Sequence, residues 1–283
     1  MTGTLYIIAT PIGNLEDITF RAVRLLKEVA LVAAEDTRHS RKLLTHYGIT
    51  TPLTSYYDHN QSLKGERILA ALRDGKHVAL ISDAGTPCIS DPGSQLVRDA
   101  LAEGIKVIPI PGACAAVTAL SAGGLPTDCF TFAGFPPNKE GKRRSFLAGL
   151  IHAHGTVVLY EAPHRLVDTL TDIAAIMGER QVVVARELTK LYEECLQGTA
   201  TAVREQVKEG RERGEIVILI APADNTTQKV EGPSPHEQLR TFLTKGHTVK
   251  EAAALVAAAT GLPRRELYAQ ALLLRDIITE GAV

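Results

Sequence analysis

Apolar runs of strand length recur along this chain and alternate with segments whose apolar residues fall at helical spacing. LYIIA (5–9), LVAA (31–34), HVALIS (77–82) and KVIPI (106–110) are short and bounded by turn residues, so they read as strands. Between them, ITFRAVRLLKEV (18–29), DTRHSRKLLTHYG (36–48), a stretch from about Gln61 to Asp74, and SQLVRDALAEG (94–104) read as helices. PGACAAVTALSAGG (111–124) reads as a glycine-started helix of small residues. This order predicts a mostly parallel, helix-covered sheet. After a break at GGLPTD (123–128) a second α/β unit follows. Its strands are FTFAGF (130–135), TVVLYEA (156–162), QVVVARE (181–187) and EIVILIAP (215–222), with helices near 143–153, 163–177 and 201–209. The polar, proline-containing stretch 223–238 reads as a linker, and 247–278 as two helices around a Gly261-Leu262-Pro263 turn. The expected divisions are therefore 1–122, 123–224 and a helical tail at 236–283.

A length of 283 residues suits two domains. An apolar fraction of 45% excludes a largely disordered chain, and a net charge of −1 excludes nucleic-acid binding by bulk positive charge. Cys88, Cys114, Cys129 and Cys195 form no CxxC pair and no zinc-type cluster, so they are expected to be reduced thiols. The start MTGTLYIIATPIGN lacks the basic and long apolar regions of a signal peptide, and no apolar run reaches the roughly 18 residues of a membrane span. A cytoplasmic protein with no membrane partner is expected.

Familiar motifs are missing. PIGN after the first strand is not GxGxxG, and neither GxxxxGK[ST] nor HExxH occurs. Asp83 and Asp91 are eight residues apart, but each lies beside a proline or glycine turn, where aspartate more often caps than binds metal. No metal is expected. The informative feature is where the loops fall. PIGN, SDAGTP, PGACA, YEAPHR and ARELTK each follow a strand, and ligands bind outside the carboxyl ends of such strands. Small residues there let a ligand approach the backbone.

TPIGNLEDITFRA, AEDTR, SDAGTPCISDPG, PGACA, GFPP, YEAPHR and ARELTK, in this order and spacing, resemble the small-subunit ribosomal RNA 2′-O-ribose methyltransferases of the tetrapyrrole methylase superfamily. The likeness runs over about residues 4–222. It implies two α/β domains with S-adenosylmethionine in the cleft between them, no Rossmann glycine fingerprint, and a homodimer. Carried onto this sequence, it implies cofactor contacts from Pro11, from Asp83, Ala84, Gly85, Thr86 and Ile89, from Cys114 and Ala115, and from Tyr160, Glu161, Leu188 and Ala221. Tetrapyrrole-methylating relatives carry a GGDP-type loop where this chain reads AGTP, a departure that favours the RNA-modifying branch over corrin or porphyrin methylation.

Four loop residues, Asp36, His59, Asp83 and Glu187, are candidates for a general base, beside a mechanism with no strong base. Asp36 could equally cap the helix starting at Thr37. RNA phosphates in 16S ribosomal RNA or the small subunit would be met by Lys139, Lys142, Arg143 and Arg144 of KEGKRR, and by Arg38, Arg41 and Lys42 on one early helix. Arg165 suits either a phosphate or an ion pair with Glu161. The tail resembles a helix-turn-helix carrying Arg264 and Arg265, which leaves a non-catalytic nucleic-acid-binding regulator as a third reading.

Overall fold

The structure, a computed structural model, describes residues 2–57, 61–207, 214–223, 235–260 and 263–280. The chain forms two compact bodies, Met1–Ala223 and Asp224–Val283.

The first body opens with a parallel sheet. Its strands are β1 (Thr4–Ile8), β2 (Leu31–Ala34), β3 (Leu53–Ser55), β4 (Val78–Ile81) and β5 (Lys106–Ile110), in the order β3-β2-β4-β1-β5. Parallel neighbours need long crossovers, and helices supply them: α1 (Phe20–Glu28), α2 (Thr37–His46), α3 (Gln61–Arg73) and α4 (Ser94–Ala102). Ala22, Leu25 and Leu26 of α1 and Leu44 of α2 pack on one sheet face with Ile8, Val32 and Ile81. Ile68, Leu69 and Leu72 of α3 and Leu96 and Ala100 of α4 pack on the other with Leu5, Ala33 and Leu80. β1 therefore leaves over one face toward β2, while its neighbour β4 leaves over the opposite face toward β5. Such a reversal opens a crevice at the carboxyl ends of the two strands. β3 is only three residues long and contains Thr54 and Ser55.

α5 (Ala115–Ala122) links this sheet to the second. The predicted helix start at Pro111 is corrected: Cys114 is the extended N-cap, and the residues before it are not helical. Gly112 instead lets the backbone pass β1, since a Cβ there would lie 2.8 Å from the Ala9 Cβ.

The second sheet comprises β6 (Phe130–Gly134), β7 (Thr156–Glu161), β8 (Gln181–Arg186), β9 (Glu194–Thr199) and β10 (Ile216–Ile220), in the order β6-β7-β10-β8-β9. Only β6 and β7 pair in parallel; the other neighbours are antiparallel. The helix-covered parallel pattern thus holds for the first sheet and not for this one. The reason is β9, whose sequence ECLQGT carries little apolar signal, and which turns the chain so that β10 inserts antiparallel between β7 and β8. One face, with Val157, Leu159, Val182, Val184 and Ile218, packs against α6 (Glu140–Gly149), α7 (Leu166–Met177) and α8 (Ala200–Val207). The other face, with Val158, Val183, Ala185, Val217 and Leu219, receives α5 and Ile12. Leu159 is fully buried in β7, and Leu159→Ala is expected to cost about 2–5 kcal/mol in urea unfolding, by lost burial and the cavity left behind.

The second body contains α9 (Pro235–Thr244), α10 (Val249–Thr260) and α11 (Arg264–Glu280) around Leu239, Val256, Leu267 and Leu274. A capping box starts α10. Glu251 accepts the Thr248 amide at 2.9 Å, and the Thr248 hydroxyl accepts the Glu251 amide at 3.3 Å. Three helices replace the two expected, because Pro235–Gln238, read as linker, begin a helix. Gly261 and Leu262 of the expected turn lie outside the described residues. Arg264 and Arg265 are exposed.

Candidate active site

The loops after β1 and β4 are stitched together where the two strands diverge. The Thr10 amide donates to the Gly85 carbonyl at 2.9 Å and the Gly85 amide to the Thr10 carbonyl at 3.0 Å. Gly85 has a φ of +80°, a conformation glycine adopts without penalty. The Thr86 hydroxyl donates to the Ala113 carbonyl at 3.1 Å, which fixes this loop to the entry of α5. Beside it the Asp83 carboxylate accepts the Asp36 amide at 2.9 Å and so ties down the AEDTR segment.

A cavity of about 410 Å³ opens against this junction, within the usual range for small-ligand sites. The loop after β4 forms one wall and the start of α5 the floor. The second sheet supplies the opposite wall. β10 runs antiparallel to β7 and β8, so Ile216 at its start pairs with Glu161 and Arg186 at their ends. The carboxyl ends of β7 and β8 and the amino end of β10 therefore meet at one edge. The five strand-end loops belong to two sheets that share a cleft.

Asp83, Ala84, Gly85, Thr86 and Ile89 line the cavity, as do Cys114, Ala115, Tyr160, Glu161 and Leu188. Pro11 is buried and does not line it; its neighbour Ile12 does. Ala221 is a correction. Its amide donates to the Gln181 carbonyl at the start of β8, one strand length from the cleft. A strand read as parallel would bring its carboxyl end to the ligand; an antiparallel one brings its amino end. Gly214, Glu215, Ile216 and Val217 take that place, and they were missed. Glu35, Ser90, Asp91, Phe135, Ala162 and Pro163 are further lining residues. Glu35, Phe135, Ala162 and Pro163 fall within or beside motifs already singled out, AEDTR, GFPP and YEAPHR.

Side-chain contacts tie the second-sheet wall together. The Tyr160 hydroxyl oxygen accepts the Ala116 amide at 3.2 Å, and its ring meets Phe135 and Phe132 edge-on at 5.5 and 4.9 Å. Burial pushes its phenol well above the usual value. The Glu161 side chain is fully buried and accepts from the Ala162 amide at 2.8 Å and the Thr169 hydroxyl at 2.5 Å. Arg165 lies 3.3 Å from that carboxylate and donates to Asn138 and to the Pro136 carbonyl. Arg165 is thus an ion-pair partner holding the GFPPN loop, and it is unavailable to a phosphate.

Among the base candidates, Asp36 caps α2: its carboxylate accepts the Arg38 amide at 2.8 Å and pairs with the guanidinium at 2.8 Å. The Arg38 hydrogen bond draws its pKa down to about 2. Glu187 pairs with Lys190 at 2.9 Å and accepts the Glu215 amide at 3.0 Å. Burial opposes its ionisation, but Lys190 and the Glu215 amide prevail and lower its pKa. It braces the strand-end loop and does not line the cavity. Asp83 does line it. His59 lies outside the described residues.

Of the basic residues, Lys139, Lys142, Arg41 and Lys42 are exposed, and Arg38 is exposed but paired with Asp36. Arg143 is a correction: it is 5% exposed and bonds Asp172 at 2.7 Å. Arg144, half exposed, also reaches Asp172 at 3.3 Å.

Five acidic residues line the cavity, Glu35, Asp83, Asp91, Glu161 and Glu215, of which Glu161 is paired with Arg165, and among the described residues no lysine or arginine lines it. An acidic pocket with small residues along its backbone wall suits a cationic ligand with a flat apolar portion. Residues 4–204 match the family model of tetrapyrrole (corrin/porphyrin) methylases, and the chain belongs to that family. Residues 231–275 match the model of an RsmI C-terminal HTH domain. The chain is 48% identical to a ribosomal RNA small subunit methyltransferase I of Halalkalibacterium halodurans, over 94% of this chain and 93% of the relative. A protein of the same name from Pseudomonas aeruginosa is 49% identical over 95% and 97%. A uroporphyrin-III C-methyltransferase from Thermus thermophilus, solved with S-adenosyl homocysteine, shares the fold at 22% identity, with a TM-score of 0.52 over 77% of this chain and 97% of that one.

Proposed function

We propose that the protein is an S-adenosylmethionine-dependent methyltransferase that methylates the ribose 2′-hydroxyl of a cytidine in 16S ribosomal RNA of the small subunit. The observation that carries this is the near-complete alignment, at 48% and 49% identity, with two ribosomal RNA small subunit methyltransferases. The cavity fits the methyl donor: the Asp83 carboxylate complements its positive charge, and Ala84, Gly85 and Ala115 leave room along the backbone. S-adenosylmethionine supplies an electrophilic methyl group. The chain's own residues position the ribose oxygen in line with it, worth about 7–11 kcal/mol of barrier when alignment is good. They also exclude water and accept the hydroxyl proton. Lys139 and Lys142 on the GFPP side and Arg41 and Lys42 on α2 are the exposed cations proposed to meet RNA phosphates. A homodimer working in the cytoplasm belongs to the same reading.

Tetrapyrrole methylation is the weaker reading, because the relatives at 48% and 49% identity are named ribosomal RNA small subunit methyltransferases and the loop after β4 reads AGTP. The test supplies methyl-labelled S-adenosylmethionine, the protein and unmodified small ribosomal subunits, then hydrolyses the RNA in alkali. Alkali cannot cut after a 2′-O-methylated ribose, so label is expected in a dinucleotide. Label confined to mononucleotides would mean base methylation and would overturn the ribose assignment.

A further inference from the structure

The loop after β4 ends on Asp91, which does not cap the helix that follows: the N-cap of α4 is Gly93, with no side-chain cap hydrogen bond. Asp91 lines the cavity. Its position is set by backbone devices on both sides: Cys88 and Ser90 are left-handed at φ 71° and 63°, and Gly93 has φ 137°. Non-glycine residues held so cost about 1–3 kcal/mol each and persist where the surroundings enforce them. Gly93 is enforced here, because a Cβ would lie 2.7 Å from Leu80 and 2.8 Å from the Cys88 sulfur. Three of the other carboxylates of the cleft are engaged. Asp83 accepts the Asp36 amide, Glu161 holds Arg165 and Thr169, and Glu215 lies 3.4 Å from Lys190. Among the described residues no cation pairs with Asp91.

We propose that Asp91 takes the proton of the ribose 2′-hydroxyl during methyl transfer. The inference rests on the methyltransferase reading above. As the ribose oxygen forms its bond to the methyl carbon, the sulfur–methyl bond breaks and its electron pair stays on sulfur. The hydroxyl proton passes to a carboxylate oxygen of Asp91 and then to solvent. The environment suits this work. Burial raises the Asp91 pKa to about 6, against the Ser82 hydroxyl and with help from the Asp83 charge. A base tuned near the working pH is the most effective. Among the described residues the Cys88 thiol and the Tyr160 phenol also feel its charge, and burial raises the pKa of both.

The folded-state pKa of about 6 lies above the unfolded value of about 3.9, so the stability contributed by protonated Asp91 is lost as pH rises through 6. Asp91→Asn should therefore melt higher than the native protein at pH 8 and show no such advantage below pH 4. The decisive experiment compares the native protein, D91N and D91E in single-turnover methyl transfer to small subunits from pH 5 to 8.5, with donor affinity by calorimetry. The native rate should climb with an apparent pKa near 6 and level off. D91N should lose about 10²–10⁴-fold and lack that limb, bind the donor within threefold, and be partly rescued in D91E. A D91N rate within threefold of native, or donor affinity falling in step with rate, would overturn the assignment while leaving the methyltransferase reading intact. A native protein that transfers no methyl to RNA would overturn both.

Discussion

Arg143→Ala is expected to cost about 3–5 kcal/mol of folding free energy, measured by urea unfolding, because it strands the Asp172 carboxylate in the interior. Both partners are nearly buried, at 6% and 5% side-chain exposure, and their hydrogen bond is 2.7 Å long. Arg144 also reaches Asp172, at 3.3 Å, and that second contact favours the lower end of the range. The double replacement R143M/D172L removes both charges and should recover most of the loss, since an apolar pair of similar volume is often as stable as a buried ion pair. A loss below about 1 kcal/mol in the single variant, with RNA affinity falling instead, would return Arg143 to the phosphate-binding set. Lys142→Ala on the same helix serves as the contrast: exposed, it should leave stability within about 0.5 kcal/mol.

Glu161→Ala should be of similar size, about 3–5 kcal/mol, and should also weaken donor binding. The Glu161 side chain is fully buried and Arg165 is 13% exposed, so removing the carboxylate leaves a mostly desolvated guanidinium without its counter-charge. Arg165 in turn holds the Pro136 carbonyl and Asn138, next to Phe135 in the cavity wall. Glu161→Gln keeps the shape and hydrogen-bonding oxygen and should cost less, about 1–3 kcal/mol. Thermal melts of both variants with and without S-adenosylmethionine separate the two effects. Equal stability of native protein and Glu161→Ala would mean that the network does not support the wall.

Several of these positions were legible in the residues. Asp83–Thr86 combine a strand end, a glycine and a cap-forming aspartate, and they line the cavity. Arg143 could have been recognised from helical spacing. It lies four residues before the fully buried Leu147, on the face that α6 turns toward the second sheet, whereas Lys142 falls off that face and Lys139 is the extended N-cap ahead of the first turn. The charge run KEGKRR hid this, because a local cluster carries no information about which side of the helix is covered. Asp91 was visible as half of an aspartate pair, but its environment depends on Tyr160 and on the second sheet.

Period and punctuation along the chain were enough to establish the alternating strands and helices, the parallel first sheet and the loops that would carry a ligand. These depend on contacts between near neighbours in sequence, and every strand or helix pattern records them locally. Strand order lay beyond that reach. The crevice exists because β1 and β4, whose paired residues Leu5 and Val78 are distant in sequence, become neighbours whose connections leave over opposite faces. The far wall exists because the weakly apolar β9 reverses the chain, so that β10 offers Gly214–Val217 where Ala221 was expected. Pairings between distant segments are chosen by the total area they bury together, a property of the assembled sheets that no single stretch of residues displays.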